Sequence, residues 1–228
     1  MKILRNLAII GVIVALFAVV IMNSSTRQAP ADQVWHPETT VGSLQARNYY
    51  VMYTDLMCPY CDVFSRNILE HWDDFEQFLA ENDILFEIRL TDMLYEGSGA
   101  EYSRWASEAG YCAIYEGKFW EYYHGALTAL WNDYQSKGYG SSKTAPTIKN
   151  LPTDYFLQIG KQAGLGAEFE QCIQSHAAAS ELDYDTGRAA SVVQGLPFFK
   201  FNDFTNAGFD TNWGWDYVKL YLNAGLEK

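Results

Sequence analysis

The sequence predicts an α/β sandwich with an all-helical insertion, and three observations support this fold class. A strand–helix–strand unit comes first, between about residues 48 and 90. Helical periodicity then continues for about a hundred residues. The chain ends in a second, shorter unit of strands followed by a helix.

The first unit has the clearest pattern. Asn48–Thr54, NYYVMYT, is rich in aromatic and β-branched residues and predicts a buried strand. Apolar residues then recur at helical spacing from Cys61 to Leu79. The turn residues Asn82 and Asp83 precede a second strand, Ile84–Leu90, whose apolar residues alternate. Strand, helix and strand make a βαβ unit, which we expect to be right-handed if the strands are parallel.

The middle of the chain is predicted to be helical, as an insertion over about residues 95–193. The periodic segments are Ala100–Glu116, Lys118–Trp131, Thr153–Ala163, Gly166–Ser175 and Ala177–Val193. A strand at Phe198–Phe201 follows Gly195-Leu196-Pro197. A short strand around Ala207–Phe209 and an amphipathic helix from about Trp213 to Leu222 end the chain.

The N-terminal segment predicts export. Lys2 and Arg5 precede an uncharged apolar run, Leu7–Met22, which is typical of a signal peptide or a membrane anchor. These residues would span only about 24 Å as a helix, slightly less than a bilayer core. Both an uncleaved anchor in residues 1–22, crossing the membrane through residues 3–22, and a cleaved signal stay open. In either case the remaining chain lies outside the cytoplasm, with a polar linker at 23–45 and a domain at 46–228.

The net charge of −12 provides no basic face to neutralise phosphates, so nucleic acid is not an expected partner. Export also changes how the four cysteines are interpreted, because disulfides persist outside the cytoplasm.

Two of these cysteines form the motif CPYC between the first strand and the first helix. Proline is favoured at the first helical position, so Pro59 places Cys58 at the N-cap. There the sulfur faces free backbone N–H groups and the positive end of the helix dipole, which favour a thiolate. Cys61 belongs to the apolar stripe, one turn later. We therefore predict an exposed attacking thiol at Cys58 and a buried resolving thiol at Cys61.

A metal site is the main chemical alternative for this pair, and two inert core thiols are another. A structural zinc site needs four ligands, usually from a second C-x-x-C or H-x3-5-H set. No such set is present, because the four histidines are scattered at His36, His71, His124 and His176. The pattern favours a redox pair without a metal or another cofactor. Cys112 and Cys172 lie on apolar helical faces, where either a structural disulfide or two buried thiols would fit.

The sequence resembles the DsbA-like branch of the thioredoxin superfamily in three blocks. These blocks are YYVMYTDLMCPYC, EAGYCAIYEGKFWEYYHGAL and VVQGLPFF. They occur in the family's order, and the similarity covers roughly residues 45–225.

The resemblance implies a thioredoxin-like fold with the helical block inserted in it. It implies that Pro197 is a cis-proline facing the cysteines, with Leu196 before it where Val or Thr is usual. Tyr60 is the second residue between the cysteines, and Asp55 is the acid three residues before the first of them. Cys112 and Cys172 fall where some members carry a second, structural disulfide. Met52 stands where relatives often have a buried acid.

The function implied is an extracytoplasmic thiol–disulfide oxidoreductase that introduces disulfides into exported proteins through Cys58 and Cys61. Its expected partners are reduced exported proteins or peptides and a membrane redox partner that reoxidises the pair. A disulfide reductase or isomerase is the alternative in the same class. From a different class, a membrane-tethered module that binds metal or apo-proteins through the same thiols stays open.

Overall fold

The computed structural model describes residues 36–98, 101–139, 148, 151–202, 204–209 and 212–226. Within these residues one sheet has the strand order β1-β3-β2-β4-β5. The strands are β1 Thr40–Gly42, β2 Asn48–Thr54, β3 Ile84–Leu90, β4 Phe198–Phe201 and β5 Phe204–Ala207. β2 and β3 are parallel, as the βαβ pattern predicts, and the other neighbouring pairs are antiparallel.

The described helices follow the predicted order. They are α1 Pro59–Glu70, α2 Trp72–Glu81, α3 Met93–Ser98, α4 Glu101–Ile114, α5 Phe119–Asp133, α6 Thr153–Gln162, α7 Ala167–Ser175, α8 Ala179–Ala190 and α9 Trp215–Asn223. The periodicity from Cys61 to Leu79 predicted one helix, but His71 divides it into α1 and α2. The ring of His71 stacks on Trp215 of α9 with 5.3 Å between centroids. The break therefore coincides with a tertiary contact that helical spacing does not encode.

The folded domain begins earlier than the predicted boundary. Pro37–Thr39 forms one turn of 3-10 helix, and β1 follows it directly. β1 pairs with β3 in register, with Val41 opposite Phe86. These residues belong to the sheet and not to the predicted linker. A strand of three residues is too short to show a hydrophobic pattern, and its position is fixed by backbone pairing with β3.

Both faces of the sheet are covered. Tyr50, Met52 and Phe86 point into the larger hydrophobic cluster, which includes residues of α1, α2 and α9. Val51 and Tyr53 face a second cluster that includes residues of α8. All seven residues of β3 are consequently buried, so its apolar alternation does not separate a core face from a solvent face. On the second face Glu87 and Arg89 form a buried ion pair with 2.9 Å between Nε and Oε1.

A disulfide joins two helices of the helical block. Cys112 of α4 and Cys172 of α7 are bonded, with 5.7 Å between their Cα atoms and 60 residues between them in sequence. The bridge that the resemblance implied is therefore confirmed.

The segment predicted to be a membrane anchor or signal lies in residues 1–35, outside the described residues. Among the helices that are described, none combines the length and apolar character needed to cross a membrane.

Candidate active site

Cys58 lies at the junction of the central strand and α1. β2 ends at Thr54, a buried loop follows, and α1 begins at Pro59, so Cys58 is the N-cap as predicted. The Cys61 backbone N–H donates to the Cys58 sulfur, with 3.4 Å between nitrogen and sulfur. The N-cap sulfur therefore accepts a hydrogen bond from the first turn of the helix. A thiolate at this position would be stabilised by the same donor and by the helix dipole.

Both thiols are free and both are buried, which corrects one prediction. Cys61 is fully buried, as its place in the apolar stripe indicates, but the expected exposed Cys58 retains only 4% of its accessible surface. Cys58 is buried because the loop before it, with Leu56 and Met57, is itself packed in the core. Tyr60, between the two cysteines, is the exposed residue of the motif at 40%.

The environment of Cys61 favours the neutral thiol. Burial raises the pKa of Cys61 well above its usual value, and the neighbouring Cys58 adds to the shift. The backbone of Asp55 and the side chain of Thr54 act in the opposite direction and are the smaller contributions. Any reaction that ionises Cys61 therefore needs a nearby group to take its proton.

Asp55 stabilises the loop that carries Cys58 through three hydrogen bonds. Its Oδ1 accepts from the Met57 N–H at 2.9 Å. Its Oδ2 accepts from the Leu94 N–H at 3.0 Å and from the Ser103 hydroxyl at 2.6 Å. Burial raises the pKa of Asp55 to about 6, although these hydrogen bonds lower it. The carboxylate thus ties the loop to α3 and α4, in addition to ending the strand.

Pro197 lies at the same end of the sheet as the cysteines. The Leu196–Pro197 peptide bond is cis, as the resemblance implied. β4 follows directly and pairs with β2, with Phe198 opposite Tyr53, which sets Pro197 beside the start of the loop to Cys58. Leu196 is half-buried, and the Pro197 carbonyl accepts from the Gly208 N–H at 2.7 Å.

A buried polar group beside Cys61 was not predicted from the sequence. Asp62 is fully buried in α1, and Arg66, one turn later, approaches it with 3.2 Å between Nε and Oδ2. The Ser65 hydroxyl, also buried, lies 2.7 Å from the hydroxyl of Tyr123 in α5. Helical spacing places Ser65 near both Cys61 and Asp62, but burial of a charged residue depends on what packs over the helix.

Metal ligands do not converge in the part of the chain that the structure describes. No group of three or more histidine, cysteine, aspartate and glutamate side chains there is arranged to hold a metal ion.

Comparisons by sequence match no protein-family model and no curated protein. Comparison of structures finds clear similarities. A thioredoxin-like oxidoreductase from Silicibacter pomeroyi is 14% identical with a TM-score of 0.57, over 86% of this chain and 99% of its own. BdbD from Bacillus subtilis is 18% identical with a TM-score of 0.58, over 83% and 93%. A putative protein-disulfide isomerase from Pseudomonas syringae is 16% identical with a TM-score of 0.59, over 82% and 97%.

These similarities establish the fold. The chain has the thioredoxin-like α/β fold with a helical insertion that DsbA-like thiol–disulfide oxidoreductases have, and the match covers nearly the whole length of the solved structures. The fold class that the sequence predicted is therefore confirmed for the domain.

Proposed function

We propose that this protein is an extracytoplasmic thiol–disulfide oxidoreductase that introduces disulfides into exported proteins through Cys58 and Cys61. The observation that carries the proposal is the position of this pair: two free thiols one helical turn apart, the first at the N-cap of α1 and accepting the Cys61 N–H. The solved structures with the same fold are described as a thioredoxin-like oxidoreductase, a protein named BdbD and a putative disulfide isomerase.

The reaction begins with the pair oxidised. A substrate thiolate attacks the Cys58 sulfur, the Cys58–Cys61 bond breaks, and Cys61 leaves as a thiolate that takes up a proton. A second substrate thiolate then attacks the substrate sulfur of the mixed disulfide and expels Cys58. The substrate gains a disulfide and loses two electrons, and the protein is left with two thiols.

The surrounding residues support these steps. Pro59 sets Cys58 at the N-cap, where the Cys61 N–H and the helix dipole stabilise a Cys58 thiolate. Asp55 holds the loop that carries Cys58. Pro197 and Leu196, at the same end of the sheet, form the wall beside which a substrate peptide would lie, and the exposed Tyr60 borders it. Both reacting sulfurs belong to the chain, so the exchange uses no cofactor.

The expected partners of this protein are those that an exported oxidoreductase would meet outside the cytoplasm. Reduced exported proteins or peptides are the substrates, and a membrane redox partner reoxidises the pair. The apolar run Leu7–Met22 supports a location at the outer face of the cell membrane, or release from it after cleavage.

The first prediction tests the roles of the two thiols in the full 228-residue chain. We expect Cys58→Ser to abolish oxidative refolding of a reduced disulfide protein. Cys61→Ser, mixed with a substrate that already carries a disulfide, should accumulate a mixed disulfide: the Cys58 thiolate attacks the substrate disulfide and releases one substrate thiolate, and the Cys61 thiol that would resolve the adduct is missing. Non-reducing gels and mass measurement detect that adduct. The double variant Cys112→Ala/Cys172→Ala is the matched control and should still exchange disulfides when folded.

The reduction potential decides the direction of electron flow. A value above roughly −180 mV against glutathione supports the oxidase, and one near −270 mV indicates a reductase. The binding-module alternative would replace this function if the unsubstituted protein neither refolds a reduced substrate nor reduces insulin, while Cys58→Ser abolishes metal binding.

A further inference from the structure

The position of Pro197 depends on the helix that precedes it. Residues 191–196 join the end of α8 to Pro197. The Val193 N–H donates to the carbonyl of Ala189 at 2.7 Å, so the segment leaves the helix through a tight turn. Val193 and Leu196 then pack against the cluster on the second face of the sheet, to which Ala189 of α8 belongs. A shift of α8 would therefore move the segment that carries Pro197.

Thr186 fastens α8 to the chain that follows β3. Its hydroxyl donates to Oδ1 of Asp92 at 2.7 Å and accepts from the Asp92 N–H at 3.1 Å. Both residues are 2% exposed, so little water reaches these bonds. Arg104 of α4 donates to the other carboxylate oxygen at 2.8 Å, which fixes the carboxylate from its far side. One hydroxyl that donates and accepts thus sets the position of α8 in two directions.

Residues 91–94, the stretch that contains this aspartate, also hold the loop that carries Cys58. The Thr91 N–H donates to the carbonyl of the last residue of β2 at 2.8 Å. The Leu94 N–H donates to Oδ2 of Asp55 at 3.0 Å. The same short stretch is therefore bonded to the cysteine loop on one side and to α8 on the other.

We propose that Thr186 is a positioning residue for substrate peptides. Its bonds to Asp92 set the spacing between the Cys58 loop and Pro197. This inference rests on the proposed function, in which a peptide lies beside Pro197 while its sulfur reacts at Cys58. A peptide has to contact both places at once, so a displaced wall misplaces its sulfur. A small dithiol reacts at the sulfur without lying along the wall, so its rate is independent of that spacing.

The test compares two reductants of the oxidised full-length chain. One is dithiothreitol, and the other is an unstructured reduced peptide with two cysteines. Each breaks the Cys58–Cys61 bond, gives up two electrons and leaves as a disulfide. Thr186→Val keeps the size of the side chain and removes the hydroxyl. We expect the rate constant with the peptide to fall roughly 10-fold, whereas the rate constant with dithiothreitol and the reduction potential stay unchanged.

Acid quench, alkylation and peptide mass measurement follow the reacting pair separately from the Cys112–Cys172 bond. Thr186→Ser retains the hydroxyl and should restore the rate with the peptide. Thr39→Val is the matched control, because Thr39 is also 2% exposed and its hydroxyl donates to the His36 carbonyl at 2.9 Å, in the turn before β1. The same loss there should lower stability and leave both rates unchanged.

The inference is overturned if Thr186→Val slows both reductants equally or neither of them, or if Thr186→Ser is as slow with the peptide as Thr186→Val. If Thr186→Val does not fold, Val193→Ala decides, because it removes a half-buried contact of the segment before Pro197. It should slow the peptide alone, and an unchanged ratio of the two rates overturns the inference. If the unsubstituted protein oxidises no peptide although dithiothreitol reduces the pair, the proposed function fails first, so the two failures are distinguishable.

Discussion

At the scale of single residues, the site depends on carboxylates whose burial the sequence does not reveal. Asp55 follows a strand, where a turn residue is common, yet its side chain joins the loop to two helices through Leu94 and Ser103. Asp62 is a charged residue within a helix, a residue type that is rarely fully buried. Both belong to the folded interior because helices α3, α4 and α5 pack over them, and those helices come from distant parts of the chain.

A substitution at Asp55 tests its bracing role. Asp55→Ala should lower the free energy of unfolding by roughly 2–4 kcal/mol, because three donors, two of them in buried hydrogen bonds, lose their acceptor. Ser103→Ala removes one of those donors, leaves the two backbone donors paired, and should cost only about 1 kcal/mol. Urea denaturation followed by circular dichroism measures both. Equal losses in the two variants would contradict the idea that the carboxylate holds several donors together.

At the scale of elements, local pattern and tertiary packing contribute differently. β2, β3 and β4 have the bounds that their aromatic and β-branched residues predict. Helix boundaries in the insertion differ from the predicted ones by at most three residues, the short helix α3 is not among the predicted segments, and the short strand β5 precedes its predicted position. The clearest difference is the break at His71, where the ring stacks on a tryptophan of α9. Strong periodicity predicts that a helix forms, whereas the point where this helix is interrupted coincides with a contact to a residue distant in sequence.

The contact between α6 and α7 provides an element-scale prediction. A Cβ added at Gly160 would lie 2.0 Å from Cε1 of Phe169, a buried ring. Gly160→Ala should therefore destabilise the protein by about 1–3 kcal/mol through overpacking. Gly187→Ala, within α8, is the matched control: no described atom lies within 4 Å of its new Cβ, so it should stabilise the helix by about 0.5–1 kcal/mol. Thermal unfolding compares the two, and equal effects would show that α6 and α7 do not approach this closely.

At the scale of the whole molecule, the buried carboxyl groups share one property. Burial raises the pKa of each of them. The pKa is raised to about 6 for Asp55 and to about 7 for Asp62, and three further carboxyl groups have a raised pKa. Those others are Glu87, Glu108 and Asp185. As the pH rises from about 4, the folded state therefore keeps protons on Asp55 and Asp62 that the unfolded chain, with carboxyl pKa values near 4, has already released.

The sign of the pH dependence follows from this difference. Between about pH 4 and pH 7 the unfolded state binds fewer protons than the folded state, so the free energy of unfolding should fall as pH rises. Asp62 alone would contribute roughly 4 kcal/mol to this fall, since one pKa unit is about 1.36 kcal/mol. Urea denaturation at pH 4.5, 6 and 7.5 measures it, and Asp62→Asn should flatten the slope. Stability that instead increases over this range would contradict the expected protonation of these groups.

The amino-acid sequence by itself determined the fold class, three strands, the N-cap position of Cys58 and the inward position of Cys61. These features follow from periodicity and from the preference of proline for the first helical turn, which act over a few residues. Only the tertiary structure decided that Cys58 is nearly buried, that Cys112 bonds to Cys172, and that Asp62 loses its access to water. The physical reason is that the burial and the protonation of a residue depend on the segments that pack over it. These segments are distant in sequence, so local patterns contain no information about them.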